Sequence, residues 1–267
     1  MSHYRRIACL STEAVETLYA LGAQDAIAGI SGYTVHPPQA RQEKPKISGF
    51  SSSKIDRILA VRPDLVIGFS NLQADICRDL GALGIEVHLF NQRDVAGILH
   101  MVRVLAAMVG RQDAGEALVA DLQARIDTAR EQASLRSRRP KVWFEEWNEP
   151  LISGIGWVSE LVGIAGGDDA FGELAMHADA KMRIVADPTE VVRRAPDIII
   201  GSWCGKKFRP EQLAARPGWE TIPALRSGLV AEIKSPDILS PGPSAITHGL
   251  PQIAALIERW HTLQAGA

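Results

Sequence analysis

The sequence is poor in the features that most quickly place a protein. It has three cysteines, Cys9, Cys77 and Cys204, in 267 residues. Three thiols cannot all pair within one chain, which excludes a disulfide scaffold and favours free thiols in a reducing compartment. Aromatic residues make up only 6%, and 29 basic against 31 acidic residues leave a net charge of −2. Without a basic field, nucleic-acid binding is not expected. No apolar run reaches the roughly 18–20 residues a spanning helix needs, so no membrane insertion is expected. Glu13 and Glu16 interrupt the apolar stretch that starts at Ile7, so the start does not read as a secretory leader. The chain therefore reads as cytoplasmic, or as an exported protein whose leader has been removed. Cys-x-x-Cys and His-Glu-x-x-His are absent and His36, His177 and His248 are scattered, so no metal site is expected. Gly-x-Ser-x-Gly, a phosphate-binding Gly-x-x-x-x-Gly-Lys-Ser/Thr loop and a strand-led Gly-x-Gly-x-x-Gly are also missing. Catalysis and a catalytic cofactor are accordingly not expected.

What is present is an internal echo. Arg62-Pro-Asp-Leu-Val-Ile-Gly-Phe69 resembles Ala195-Pro-Asp-Ile-Ile-Ile-Gly-Ser202. Each follows a helical stretch, Lys54–Val61 and Pro188–Arg194, and each ends in a short apolar run. Such a run suits a strand buried on both faces of a parallel sheet. Proline disfavours helical geometry in the residue before it, which supports the helix stops. Arg6–Leu10 followed by a helix over Thr12–Leu21 is echoed by Lys141–Phe144 followed by a helix over Gly156–Ala165. Gly84–Leu89 and Gly228–Ile233 read as a further pair of strands. Alternating strands and helices, repeated twice, predict an α/β fold of two Rossmann-like lobes with parallel sheets.

Between the halves, Ala114, Ala117, Leu118, Leu122, Ile126 and Ala129 share one face of a single helix. At about 25 residues it would be about 37 Å long. The expected organisation is a lobe over 1–110, a connecting helix over 111–138 and a second lobe over 139–267. Such a helix would act as a strut that holds two lobes across a cleft. One doubly wound sheet with a long crossover helix is the alternative.

Several segments then point to a family. They are Gly29–Tyr33, His36–Ala40, Ile55–Ile58, Pro63–Ile67 and Leu83–Val87 in the first half. In the second they are Trp157–Leu161, Ala165–Gly167 and Glu190-Val-Val with Ala195-Pro-Asp197. In order and spacing the chain resembles the helical-backbone substrate-binding proteins of ABC importers, the cobalamin and ferric-siderophore binders, and is closest to the cobalamin branch. The resemblance implies a ligand held between two lobes: cobalamin, another corrinoid or a similar bulky metal chelate. It implies a periplasmic location if a leader once preceded the chain, an ABC permease dimer as partner and a monomeric binding protein. It also implies that Asp56 and Glu190, one near the tip of each lobe, meet arginines of the permease. Both lie in the first turn of an expected helix, where a carboxylate also complements the helix dipole. Tyr33 matches a tyrosine of the cobalamin binder. Phe50 and Phe69 stand where tryptophans occur, Arg183 replaces another tryptophan, and Ser240 falls where an arginine is expected. A cytosolic carrier, or a Cys/Glu-dependent enzyme on the same fold, is the alternative reading.

All six tryptophans lie after Pro140. Ligands of open α/β sheets bind at the carboxyl ends of strands. The strand Val142–Phe144 runs into Glu145-Glu146-Trp147, and Ile198–Gly201 runs into Ser202-Trp203-Cys204-Gly205-Lys206-Lys207. If the strands are parallel neighbours, Glu145, Glu146, Trp147, Trp203, Cys204 and Lys206 converge on one rim, to which the resemblance adds Arg183. Tyr33, His36, Phe50 and Phe69 would line the opposite, first-lobe side. Indole faces suit a flat apolar or cationic ligand, the carboxylates suit amide or amine donors, and Lys206 suits an anion.

Overall fold

The computed structural model describes residues 4–50 and 52–266. Met1, Ser2, His3 and Ala267, the ends of the expected lobes, and Ser51 lie outside the described residues. The chain forms two compact units. The first runs to Gln123 and takes in Ser240–Ser244, and the second holds Ala124–Leu239 and the residues from Ala245 onward. The five residues Ser240–Ser244 thus join the first unit rather than the expected second lobe.

The first unit carries β1 (Ile7–Cys9), β2 (Ile27–Ser31), β3 (Lys46–Ser48), β4 (Leu65–Phe69) and β5 (Val87–Phe90). All pairings are parallel, in the order β3-β2-β1-β4-β5. The second carries β6 (Lys141–Asn148), β7 (Leu151–Ser153), β8 (Asp168–Asp169), β9 (Ile198–Gly201) and β10 (Val230–Glu232). Its order is β10-β9-β6-β7, and β8 pairs with β6. The echo in sequence is an echo in space, because β1-β4-β5 and β6-β9-β10 lie side by side in the same order. The sheets differ elsewhere. β7 runs antiparallel to β6, since the two-residue link Glu149-Pro150 is too short for a parallel crossover.

The Pro-Asp motif does the same work in each unit. Asp64 accepts hydrogen bonds from the backbone N–H groups of Arg5 and Arg6 at 2.7 and 2.9 Å, which pins the start of β1 beside β4. Asp197 accepts from the Lys141 N–H at 2.8 Å and pins β6 beside β9. The residue before each proline, Arg62 or Ala195, turns the chain with positive φ, 45° and 50°. Asp64→Ala removes two charge-assisted bonds at an exposed strand start. It is expected to lower stability by about 1 kcal/mol, measurable as a fall in thermal midpoint.

The long helix is continuous over Gln112–Ser134. Its buried face is Gly115, Val119, Leu122 and Ile126, whereas Ala117 is exposed and Leu118 only half-buried. The expected apolar face is corrected at its start by close packing. A Cβ on Gly115 would stand 2.4 Å from the Ala106 methyl, so the helix Val95–Met108 meets the glycine and not the flanking alanines. Five of the six tryptophans, 143, 157, 203, 219 and 260, are buried in the second unit, and Trp147 is half-buried. Among the described residues no helix is long and apolar enough to cross a membrane.

Candidate functional site

The strand order of the first unit reverses between β1 and β4, and ligands of open parallel sheets lie beyond the carboxyl ends of strands at such a point. The loops that follow β1, β2, β3 and β4 supply that edge. Tyr33, after β2, is 62% exposed, and Leu72, after β4, is 60% exposed. His36 and Phe50 are half-buried. The Tyr33 loop is closed from below: Arg41 Nη1 donates to the carbonyls of Gly32 and Thr34 at 2.9 and 2.6 Å, and Gly32 N–H donates to Ser48 O at 2.8 Å.

Phe69 departs from the expected ligand contact. It is 5% exposed, and the Arg93 guanidinium lies 5.3 Å from its ring centre. As the last residue of a central strand it points into the packed body of the unit. The exposed side chain at this position belongs to Leu72, which no pattern in the sequence marks, because a leucine at helical spacing reads as core.

The acidic rim of the second unit is corrected more deeply. β6 does not stop at Phe144 but continues to Asn148, with a register shift in its pairing to β7 between Glu145 and Trp147, so Glu145 and Glu146 are consecutive strand residues with separate partners. Glu145 is fully buried. Arg216 grips it bidentately, Nη1 to Oε2 at 2.7 Å and Nη2 to Oε1 at 2.9 Å. The indole N–H groups of Trp143 and Trp203 add bonds at 3.1 and 3.0 Å. All four contacts are internal, so Glu145 is a structural hub and not a ligand contact. Trp203 is buried in the same cluster and is likewise removed from the expected rim.

Arg183 holds Glu146 bidentately at 2.6 and 3.0 Å and donates to Ser153 O. Arg183 is buried, and burial against its own carboxylate partner corrects the expectation that it contacts ligand. Glu146 keeps a partly exposed edge. Trp147, Cys204 and Lys206 remain accessible in part or whole. Lys206 Nζ sits 5.5 Å from the Trp147 ring and 5.3 Å from the Trp203 ring, and donates to Asn148 Oδ1 at 3.0 Å. The Cys204 thiol is pushed up, first by burial and then by the Glu146 carboxylate, which disfavours the thiolate a nucleophile needs. Met176 and Met182 are strongly exposed apolar side chains in this unit that no pattern in the sequence marks.

The two carboxylates expected at a permease are unlike. Asp56 is exposed in the first turn of the helix Ile55–Ala60. Glu190 opens the helix Thr189–Arg194 but is already held within the unit: Arg194 Nε donates to Oε1 and Arg193 Nε to Oε2, each at 2.7 Å. Those two guanidinium groups, Arg194 first, hold its carboxyl below the usual range. Among the described residues no group of three or more His, Cys, Asp or Glu side chains could hold a metal ion.

Known proteins share the family and the fold. The family profile described as periplasmic binding protein matches residues 7–236. A vitamin B12-binding protein of Vibrio campbellii is 23% identical over 202 residues, 74% of this chain and 70% of that protein. The periplasmic heme-binding protein of Roseiflexus sp. RS-1 in apo form superposes with a TM-score of 0.80 at 22% identity, over 95% of this chain and 99% of that one. The periplasmic vitamin B12-binding protein of Vibrio cholerae superposes with a TM-score of 0.77 at 20% identity, over 96% of this chain and 98% of that one.

Proposed function

The chain belongs to the periplasmic binding protein family, and on that premise we propose that its ligand is a bulky, partly planar metal chelate, a corrinoid or a heme. It is a substrate-binding protein and not an enzyme.

The observation that carries the ligand class is the carboxyl edge of the first unit, where Tyr33 and Leu72 stand largely exposed with Phe50 half-buried among the same loops. Several large apolar side chains left open at a strand-end edge mark a place where apolar surface is to be covered. A phenol ring suits the face or edge of a planar macrocycle and keeps a hydroxyl for its polar rim. The related B12- and heme-binding proteins support the same class. In the second unit Trp147 and Lys206 offer an indole face and a cation to a ligand that carries amides or carboxylates.

We further propose delivery to an ABC permease and a working place outside the cytoplasmic membrane, on the strength of the family's description. Asp56 is the carboxylate free to meet a permease arginine. Glu190 would first have to exchange Arg193 and Arg194 for that partner.

Cyanocobalamin, hemin and a ferric siderophore titrated into the purified protein test the class. At least one is expected to bind with a Kd of about micromolar or below. Tyr33→Ala is expected to weaken that binding by about 1–2 kcal/mol without lowering the thermal midpoint, since the ring is exposed. Failure of all three ligands to bind at micromolar concentration would sink the proposal.

A further inference from the structure

One buried side chain ties together the loops from which the exposed groups of the first unit hang. Gln73 is wholly buried. Its amide makes three hydrogen bonds, each to a backbone group of a different segment. Nε2 donates to Leu10 O, after β1, at 3.1 Å, and to Phe50 O, after β3, at 2.7 Å. Oε1 accepts from the Phe69 N–H, at the end of β4, at 2.9 Å. Leu10 and Phe69 flank the point where the strand order reverses.

The turn that delivers Gln73 is strained. Ser70 has φ 66° and ψ 169°, a region that side chains other than glycine's rarely enter. It is held there from three sides: its N–H donates to Phe90 O at 2.7 Å, its carbonyl accepts from Gln73 N–H at 3.1 Å, and its hydroxyl accepts from Leu72 N–H at 3.3 Å. Strain of this kind persists only where the surroundings over-determine it, and it collects at binding sites. Here its result is an exposed Leu72 at the apex of a turn whose base is locked.

We propose that Gln73 is the positioning residue of the first unit's ligand edge, and that the strained turn Ser70–Gln73 keeps Leu72 and the Phe50 loop ordered before ligand arrives. This rests on the binding function proposed above. An edge ordered in advance does not lose its loop entropy on binding, so the contribution of Gln73 lies in affinity as well as in the fold. A side chain serving packing alone would affect stability and leave affinity unchanged.

Cyanocobalamin and hemin are the probes, titrated into wild type, Gln73→Met and Ser70→Gly at a temperature where each protein is fully folded. Gln73→Met keeps the length of the side chain and removes all three bonds. It is expected to lower affinity about tenfold or more, mainly through faster dissociation, and to expose the Phe69 amide to hydrogen exchange. Ser70→Gly relieves the backbone strain and removes the hydroxyl cap. It is expected to bind more weakly while its thermal midpoint stays level or rises. A fall in thermal midpoint with affinity unchanged in Gln73→Met overturns the proposal. If that variant does not fold, unchanged affinity in Ser70→Gly overturns it. A wild type that binds neither probe, nor the ferric siderophore, defeats the function and this inference together, whereas tight binding by wild type and both variants defeats this inference alone.

Discussion

Replacing Glu145 with alanine is expected to remove about 3–5 kcal/mol of stability, the range for breaking a buried ion pair by deleting one partner. The substitution strands the Arg216 guanidinium, which is only slightly exposed, without the carboxylate that compensates it. It also leaves the indole N–H groups of Trp143 and Trp203 without their acceptor in a closed core. Urea unfolding followed by far-UV circular dichroism measures the loss. The double variant Glu145→Ala/Arg216→Met should recover part of it, because neither buried charge then remains. A single variant within about 1 kcal/mol of wild type would show that water reaches the site and that the pair is not the hub its geometry describes. Trp203→Ala belongs with this lesion. Its indole packs against Phe208 with ring centres 5.0 Å apart and holds Glu145, so its loss is a core defect before it is a binding defect.

This pair also shows where the sequence could be read and where it could not. The Pro-Asp echoes were legible because their pattern is local, a helix stop, a turn and a strand within ten residues, although the bonds that Asp64 and Asp197 accept come from 56 to 59 positions away. The parallel strands after them were legible as short apolar runs buried on both faces. Glu145-Glu146 was placed on a ligand rim because two carboxylates directly after a short apolar run look like the end of the strand. Their arginine partners lie 71 and 37 positions away, and no local pattern joins them. β2 and β3 of the first sheet, the antiparallel β7 and the helices Val95–Met108 and Leu250–Ala265 were not marked out in advance. Of the first-unit residues, Tyr33 was placed on the exposed edge by its family likeness and by its position in a strand-end loop. Leu72 and Gln73 were missed because the role of each depends on the turn at Ser70, whose conformation no serine announces. Glu13 and Glu16 are buried residues of the helix Thr12–Ala20, a placement that their charge does not announce.

Glu13 carries the second large effect. It lies in the first turn of the helix Thr12–Ala20 and is 3% exposed. Gly242 covers it so closely that a Cβ there would stand 2.5 Å from the Glu13 Cβ. One carboxyl oxygen accepts a long bond from the Thr12 hydroxyl at 3.4 Å, and among the described residues no cation pairs with the carboxyl. The segment that covers it, Ser240–Ser244, carries no charge, and its Ser244 N–H and hydroxyl are directed at Glu16. Burial therefore pushes the Glu13 carboxyl from an ordinary 4.5 up to about 7, against weaker opposing hydrogen bonds from its own backbone, Ser11 and Thr12. Because the folded value lies above the unfolded one, its contribution to stability is fully present below pH 4.5. It is lost as pH rises toward 7. At about 1.4 kcal/mol for each pH interval between the two values, the whole loss is about 3 kcal/mol. Glu13→Gln keeps the shape and cannot ionise. Its stability should match that of wild type near pH 4 and exceed it by about 3 kcal/mol at pH 8. Other carboxylates bend both curves alike at low pH, so the difference between the curves isolates this group. Denaturant unfolding of the two proteins between about pH 4 and pH 8 measures that difference. Two curves that stay parallel would mean that the Glu13 carboxylate finds solvent or a partner in solution, and that burial does not set its charge.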